Sequence, residues 1–156
     1  MNNTIQLPWR ANGVAIYGGH GNKVENNLIH DTMNYPGIMP ATDHDPLPFS
    51  GQTLIAGNAL FRTGGAFWGE AQEFGAITVS AQNRDITGVT IRDTEIHDST
   101  YDGIQVKSGG GARGSATLTN VRITDSAAGA VVVEPGSQFT ITGTPTTTTH
   151  RGRGVI

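Results

Sequence analysis

Aliphatic and polar positions along this chain recur in register. The nine residues Val24-Glu25-Asn26-Asn27-Leu28-Ile29-His30-Asp31-Thr32 align with the nine that begin at Ile55, at Ile91 and at Leu118. The first and sixth positions are aliphatic in every copy. The third is Asn26, Gly57, Asp93 or Asn120, all turn-prone residues, and the ninth is always Thr or Ser. A glycine and a short apolar stretch follow each copy: Gly37-Ile38-Met39, Gly75-Ala76-Ile77-Thr78-Val79, Gly103-Ile104-Gln105-Val106 and Gly129-Ala130-Val131-Val132-Val133. Gly13-Val14-Ala15-Ile16 is an orphan copy of that stretch. No window carries the i, i+3, i+4 stripe of a helix. The first positions lie 31, 36 and 27 residues apart, so each repeat reads as one coil with insertions of variable length. A single coil cannot bury its apolar face, but stacked coils with strands about 4.8 Å apart can.

The pattern therefore predicts an all-β fold, a right-handed parallel β-helix (pectin-lyase-like solenoid) of four to five coils. Aliphatic positions should stack inward. Asn26, Asp93 and Asn120 should stack at one corner, where their side chains can bond successive coils. A β-sandwich would not require Thr or Ser and Gly at matched places in every repeat, and the spacing of leucine-rich repeats is absent. Two insertions, 33–50 and 64–74, should rise as walls on one side. Residues 1–142 are read as a partial β-helix and 143–156 as a flexible tail. The chain starts in mid-coil and shows no amphipathic cap, so the sequence reading expects a fragment of a longer β-helix.

Composition sharpens this only in places. Glycine supplies 22 of 156 residues, which suits tight turns, and there is no cysteine to staple the fold. Charged residues make up 15% and the net charge is −3, so a nucleic-acid partner is not expected. The longest apolar run is about five residues, far below the roughly 20 of a membrane-spanning helix, so no membrane partner is expected. Met1 to Arg10 carries no apolar leader segment, so no signal peptide is expected within this chain.

Sugar sites use aromatic platforms and carboxylates. Tyr17, Tyr35, Trp68 and Tyr101 lie beside the glycine-led strands or in the insertions, and Asn12 and His20 flank the first of those strands. Trp9 and Tyr17 read equally as packing residues at coil corners. Trp68 has a stronger claim, because its glycine-rich loop offers little core to fill. Glu70, Glu73 and Asp102 are the carboxylates with some claim to acid or base chemistry, although Asp102 also reads as a turn residue. Asp31, Asp98 and Asp125 recur at one repeat position and read as turn residues. The run Asp43-His44-Asp45 has no ligand spacing, so no metal is expected, and no cofactor motif is present. GGHGN at 18–22 lacks the lysine and helix of a phosphate loop, and there is no Gly-x-Ser-x-Gly elbow.

Several stretches resemble glycoside hydrolase family 87, the mycodextranases and endo-α-1,3-glucanases. They are Leu7-Pro8-Trp9, Asn12 to Gly19, Asn22 to Asn27, Leu60 to Gly65, Phe74 to Ile77, and Ile96 to Ile104. The resemblance covers roughly residues 1 to 140. It implies a β-helix that hydrolyses α-1,3-glucan internally with inversion, a polysaccharide partner, and a secreted parent protein. The family's catalytic aspartates lie in a Gly-Asp-Asp-Gly type turn and an earlier Asp-Gly turn, upstream of the Ile16-Tyr17-Gly18-Gly19 coil. No Asp-Asp pair occurs in this sequence, so none is carried over. The expectation is a fragment that is inactive alone and completed by upstream coils of its parent domain. In the coil alignment the absent turn stacks over Ala11-Asn12, then Tyr35-Pro36, Glu73-Phe74 and Tyr101-Asp102. Asp102 would then lie roughly 19 Å from it, at about 4.8 Å per coil. An inverting pair is separated by roughly 6.5–9.5 Å, which leaves Asp102 at most a subsite residue. Two other readings stand beside this one. One is a self-sufficient hydrolase or lyase using Glu70, Glu73 or Asp102. The other is a non-enzymatic, carbohydrate-binding or structural β-helix of a surface or tail-spike-like protein.

Overall fold

The computed structural model describes residues 2–43, 47–67 and 72–149. Along the chain run β1 (Thr4–Gln6), β2 (Val14–Ile16), β3 (Gly19–His20), β4 (Lys23–Glu25), β5 (Leu28–His30), β6 (Ile38–Pro40), β7 (Phe49–Ser50), β8 (Thr53–Ala56) and β9 (Ala59–Phe61). They are followed by β10 (Gly65–Phe67), β11 (Gln72–Phe74), β12 (Ile77–Ala81), β13 (Ile86–His97), β14 (Ile104–Ser108), β15 (Gly114–Thr124), β16 (Val131–Val133), β17 (Phe139–Thr142) and β18 (Thr146–Thr148). No helix occurs among the described residues. The strands wind into a parallel β-solenoid of about five turns. One sheet orders β1-β5-β9-β13-β15-β17, with β4, β8 and β18 alongside, and the facing sheet orders β2-β6-β12-β14-β16.

The repeat is the register of the first sheet. Val24 pairs with Ile55, Ile55 with Ile91 and Ile91 with Leu118. The sixth positions Ile29, Leu60, Ile96 and Ile123 pair in the same way. Ile29, Ile55, Leu60, Ile91 and Ile96 are completely buried. The third-position residues Asn26, Gly57, Asp93 and Asn120 all hold positive φ, which bends the strand at a fixed corner.

Three details depart from the expectation. First, Asn120 Nδ2 does donate to Asp93 Oδ1 at 2.8 Å, but the longer amide ladder is built at the neighbouring fourth position. There Asn3 Nδ2 donates to Asn27 Oδ1 at 3.1 Å, and Asn27 Nδ2 donates to Asn58 Oδ1 at 3.0 Å. A buried amide is compelled to find such partners, and the exposed third position is not.

Second, Gly75 does not start its strand in line with Gly37 and Gly103. Ile77 pairs with both Ile38 and Ile104, so Ala76 occupies that level. Gly75, rather than Phe74, therefore lies against Asp102. The level needs a small residue because it faces the sixth-position aliphatics. A Cβ on Gly13 would lie 2.8 Å from Ile29 Cγ2, on Gly37 2.8 Å from Leu60 Cδ2, and on Gly103 2.7 Å from Ile123 Cγ2. Alanine still fits at 76, where it is fully buried.

Third, Thr146–Thr148, read from the sequence as flexible tail, form β18 and pair with Arg122, Ile123 and Thr124 of β15. Threonine is β-branched and suits a strand even without an apolar neighbour. Residues 150–156 of that tail lie outside the described residues.

Candidate saccharide-binding groove

Side chains alternate across a strand. In the β2-β6-β12-β14-β16 sheet Ile38, Ile77, Val79, Ile104 and Val106 point inward and are fully buried. The alternate residues form two outward rows. One is Ala15, Met39, Thr78, Gln105 and Val132, given by the strand registers. The other is Tyr17, Ala41, Ser80, Lys107 and Glu134, which extends the same ladders.

This outer face is also sheltered, with Met39, Thr78, Ser80, Gln105 and Lys107 all buried. The shelter comes from the insertions. The 64–74 insertion folds back as an antiparallel hairpin in which Gly65 pairs with Phe74 and Phe67 with Gln72. Gly65 lets the hairpin lie against the preceding wall, since a Cβ there would come within 2.7 Å of the Asn34 backbone. Tyr35 stacks on Phe74 with centroids 5.6 Å apart and leans on Phe67 at 5.5 Å. From the other side Asp43 Oδ1 accepts a 2.8 Å hydrogen bond from Ser80 Oγ, and Asn83 Nδ2 donates to the Thr42 carbonyl at 2.8 Å.

Three neighbouring cavities result. The central one, about 370 Å³, has Tyr35, Phe67, Phe74 and Met39 as its apolar lining and Asn12, Tyr17, Asp43 and Gln72 as its polar groups. Tyr35 and Phe67 also line a second cavity of about 640 Å³, shared with Trp9, Arg10, Met33 and Asn34. Gln72 also lines a third, of about 360 Å³, with Glu73, Gln105, Lys107 and Glu134. Together they make a groove that crosses successive coils.

In the central cavity Asn12 Nδ2 donates to the Tyr17 hydroxyl at 3.3 Å. Asn12 Oδ1 is sealed from solvent and has no hydrogen-bond donor among the described residues. Burial, then the negative charge of Asp43, pushes the Tyr17 phenol above its ordinary range, against the lowering hydrogen bond from Asn12. Tyr17 is thus a neutral hydroxyl throughout the physiological range. Aromatic faces with a few fixed amide, hydroxyl and carboxylate groups suit a pyranose ring, which has apolar faces and a polar rim.

The structure gathers only some of the residues expected from sequence. Asn12, Tyr17 and Tyr35 meet in the central cavity, and Glu73 lines the third. His20 lies aside on β3, with Nδ1 3.2 Å from Ser50 Oγ, and lines none of these cavities. Tyr101 also lies outside them, its carbonyl accepting from Ala128 N at 3.0 Å. Asp102 is buried and links two coils. Its Oδ1 accepts from Gly129 N on the next coil at 2.8 Å. Trp68 and Glu70 lie outside the described residues, as do His44 and Asp45. Trp9 is 68% exposed and lines the second cavity.

Sequence reasoning missed Phe67, Gln72, Phe74, Gln105, Lys107 and Glu134 as groove residues. The signal was available for Gln105 and Lys107, polar residues at alternate positions of an otherwise apolar strand. The hairpin residues carried no such signal, because their position depends on how the insertion folds back.

A family model described as alpha-1,3-glucanase catalytic domain D2 matches residues 1–127. Among solved structures, a GH87 α-1,3-glucanase catalytic domain, an aspartate-to-alanine variant in complex with tetrasaccharides, is 27% identical with a TM-score of 0.67. That match covers 85% of this chain and 32% of the other. A GH87 catalytic domain in complex with nigerose is 25% identical, with a TM-score of 0.66 and coverage of 85% and 33%. The catalytic unit of a thermostable GH87 α-1,3-glucanase from Streptomyces thermodiastaticus is 26% identical, with a TM-score of 0.63 and coverage of 93% and 33%. The chain thus spans about a third of the length of these solved relatives. No curated protein matches it.

Proposed function

Because this chain belongs to the α-1,3-glucanase catalytic domain D2 family, we propose that its groove binds α-1,3-glucan as one wall of the substrate cleft of an inverting, endo-acting glycoside hydrolase. The observation that carries the reading is the central cavity, where Tyr35, Phe67 and Phe74 provide ring faces and Asn12, Tyr17, Asp43 and Gln72 a polar rim. Relatives crystallised with nigerose and with tetrasaccharides support the ligand class. On this reading the general acid and base come from aspartates outside these coils. Glu73 is then a binding residue, and Asp102 holds the coil corner. The parent protein acts outside the cell, where such polysaccharide is met.

Calorimetric titration of the chain with nigerose and with an α-1,3-linked glucotetraose tests this. Saturable binding is expected. Phe67→Ala should weaken it about tenfold, or about 1.4 kcal/mol, without a change in melting temperature above a few degrees. Binding that ignores Phe67→Ala would count against the site. A reducing-sugar assay on α-1,3-glucan should show no release by this chain alone. Sustained release would overturn the assignment of the acid and base to aspartates elsewhere.

A further inference from the structure

The third cavity differs from the aromatic one in carrying a charged, mostly covered lysine. Lys107 lies on the outward row of β14 and is only 8% exposed. Among the described residues its ammonium makes no hydrogen bond or ion pair. It lies over the face of the Phe74 ring, 5.0 Å from the centroid. The stem is covered while the ammonium lines a cavity of about 360 Å³, where an acceptor brought by a ligand can reach it. The same cavity is lined by Glu73 and Glu134, and by Gln105, whose Nε2 donates to Glu134 Oε1 at 3.1 Å.

We propose that this cavity is a second saccharide subsite, chemically distinct from the aromatic one, in which Lys107 donates to sugar oxygens and Glu73 and Glu134 accept from sugar hydroxyls. The proposal rests on the saccharide reading of the groove and deepens it. Mixed charge argues for a neutral polyol. Two carboxylates beside one ammonium oppose a free anion, and the ammonium opposes a metal ion. Hydroxyl groups, each both donor and acceptor, satisfy lysine, glutamate and glutamine together. The two subsites share Gln72, so one oligosaccharide can lie across both. A short sugar held by aromatic faces should gain affinity when lengthened into the polar cavity.

The test compares nigerose with α-1,3-linked glucotetraose by calorimetry on the full chain and its variants. The wild-type chain should bind the tetrasaccharide at least tenfold more tightly than nigerose. Lys107→Met should abolish most of that advantage. Should Lys107→Met fail to fold, Glu134→Gln and Glu73→Gln test the same cavity from its more exposed side chains. An unchanged length advantage in folded variants, with glucan binding intact, overturns the subsite and leaves the glucan reading standing. A Lys107-dependent length advantage for α-1,4- or β-1,3-linked oligosaccharides, with none for the α-1,3 series, keeps the subsite and overturns the glucan reading. Inorganic phosphate bound more tightly by the wild-type chain than by Lys107→Met would overturn the neutral-polyol assignment. Absence of saccharide binding altogether overturns both.

Discussion

At the eighth repeat position Asp31, Arg62, Asp98 and Asp125 hold φ of 60°, 49°, 51° and 54°. The positive φ accounts for aspartate recurring there, because Asp tolerates the left-handed region. Asp31 is also held by Arg62, whose Nε donates to Oδ1 at 2.6 Å, and by the His30 ring at 2.7 Å. These hydrogen bonds lower the Asp31 carboxyl from its ordinary 3.8 to about 2. A depressed folded-state pKa stabilises above the ordinary value and is lost as pH falls through about 2. Arg62→Asn keeps a residue suited to positive φ but removes the guanidinium. The Asp31 carboxyl resonance should then titrate closer to its ordinary value, and an unmoved midpoint would dissociate the shift from Arg62. Asn58 is a different case. It is 1% exposed, its Oδ1 accepts from Asn27, and its Nδ2 donates to the Val24 carbonyl at 2.9 Å. Asn58→Ala strands several buried groups, and urea unfolding should show a loss of about 3 kcal/mol.

At the scale of the strand, spacing within the coil matters more than identity. The small residue that leads each outer-sheet strand is Gly13, Gly37, Ala76, Gly103 or Ala130 by register. None of these glycines has positive φ, so close packing and not a turn demands them. Gly103→Val would drive a Cβ to 2.7 Å from the Ala130 carbonyl oxygen and the Ile123 side chain. It should cost about 3 kcal/mol in urea unfolding through overpacking. Gly136→Ala is the contrast. A Cβ there meets nothing within 4 Å, and its penalty is only the strain of φ +81°. Equal losses at the two sites would refute the packing argument. The β10–β11 hairpin follows a similar rule, since its close approach to the Asn34 backbone depends on Gly65.

For the whole molecule, a solenoid's stability is summed from coil to coil, so interior coils with neighbours on both sides should open last. β13 pairs with strands on both sides, whereas β1 and β18 each pair on one side only. Native-state hydrogen exchange should therefore be slowest at amides such as Ile96 and Val106 and fastest at Ile5 and Thr147. Equal protection along the stack would mean that the molecule opens only as one unit.

How much of this was legible depends on the distance over which each feature is encoded. The repeat of aliphatic and turn residues is local and periodic, so the solenoid, its first-sheet register and its corner residues could be read directly from the chain. The family resemblance was visible in the same stretches. The positions of Ala76 and Ala130 were not, because a one-residue shift of register leaves the glycine-led pattern around it unchanged. Nor were the groove partners of Asn12, Tyr17 and Tyr35. Phe67 and Phe74 come from the two strands of an antiparallel hairpin and meet Tyr35 from another coil, and Lys107 and Glu134 meet across neighbouring coils. Nothing in the local sequence encodes those proximities. They arise when stacking brings residues some 30 positions apart into neighbouring turns, and when an insertion folds back over the sheet face that the stack creates.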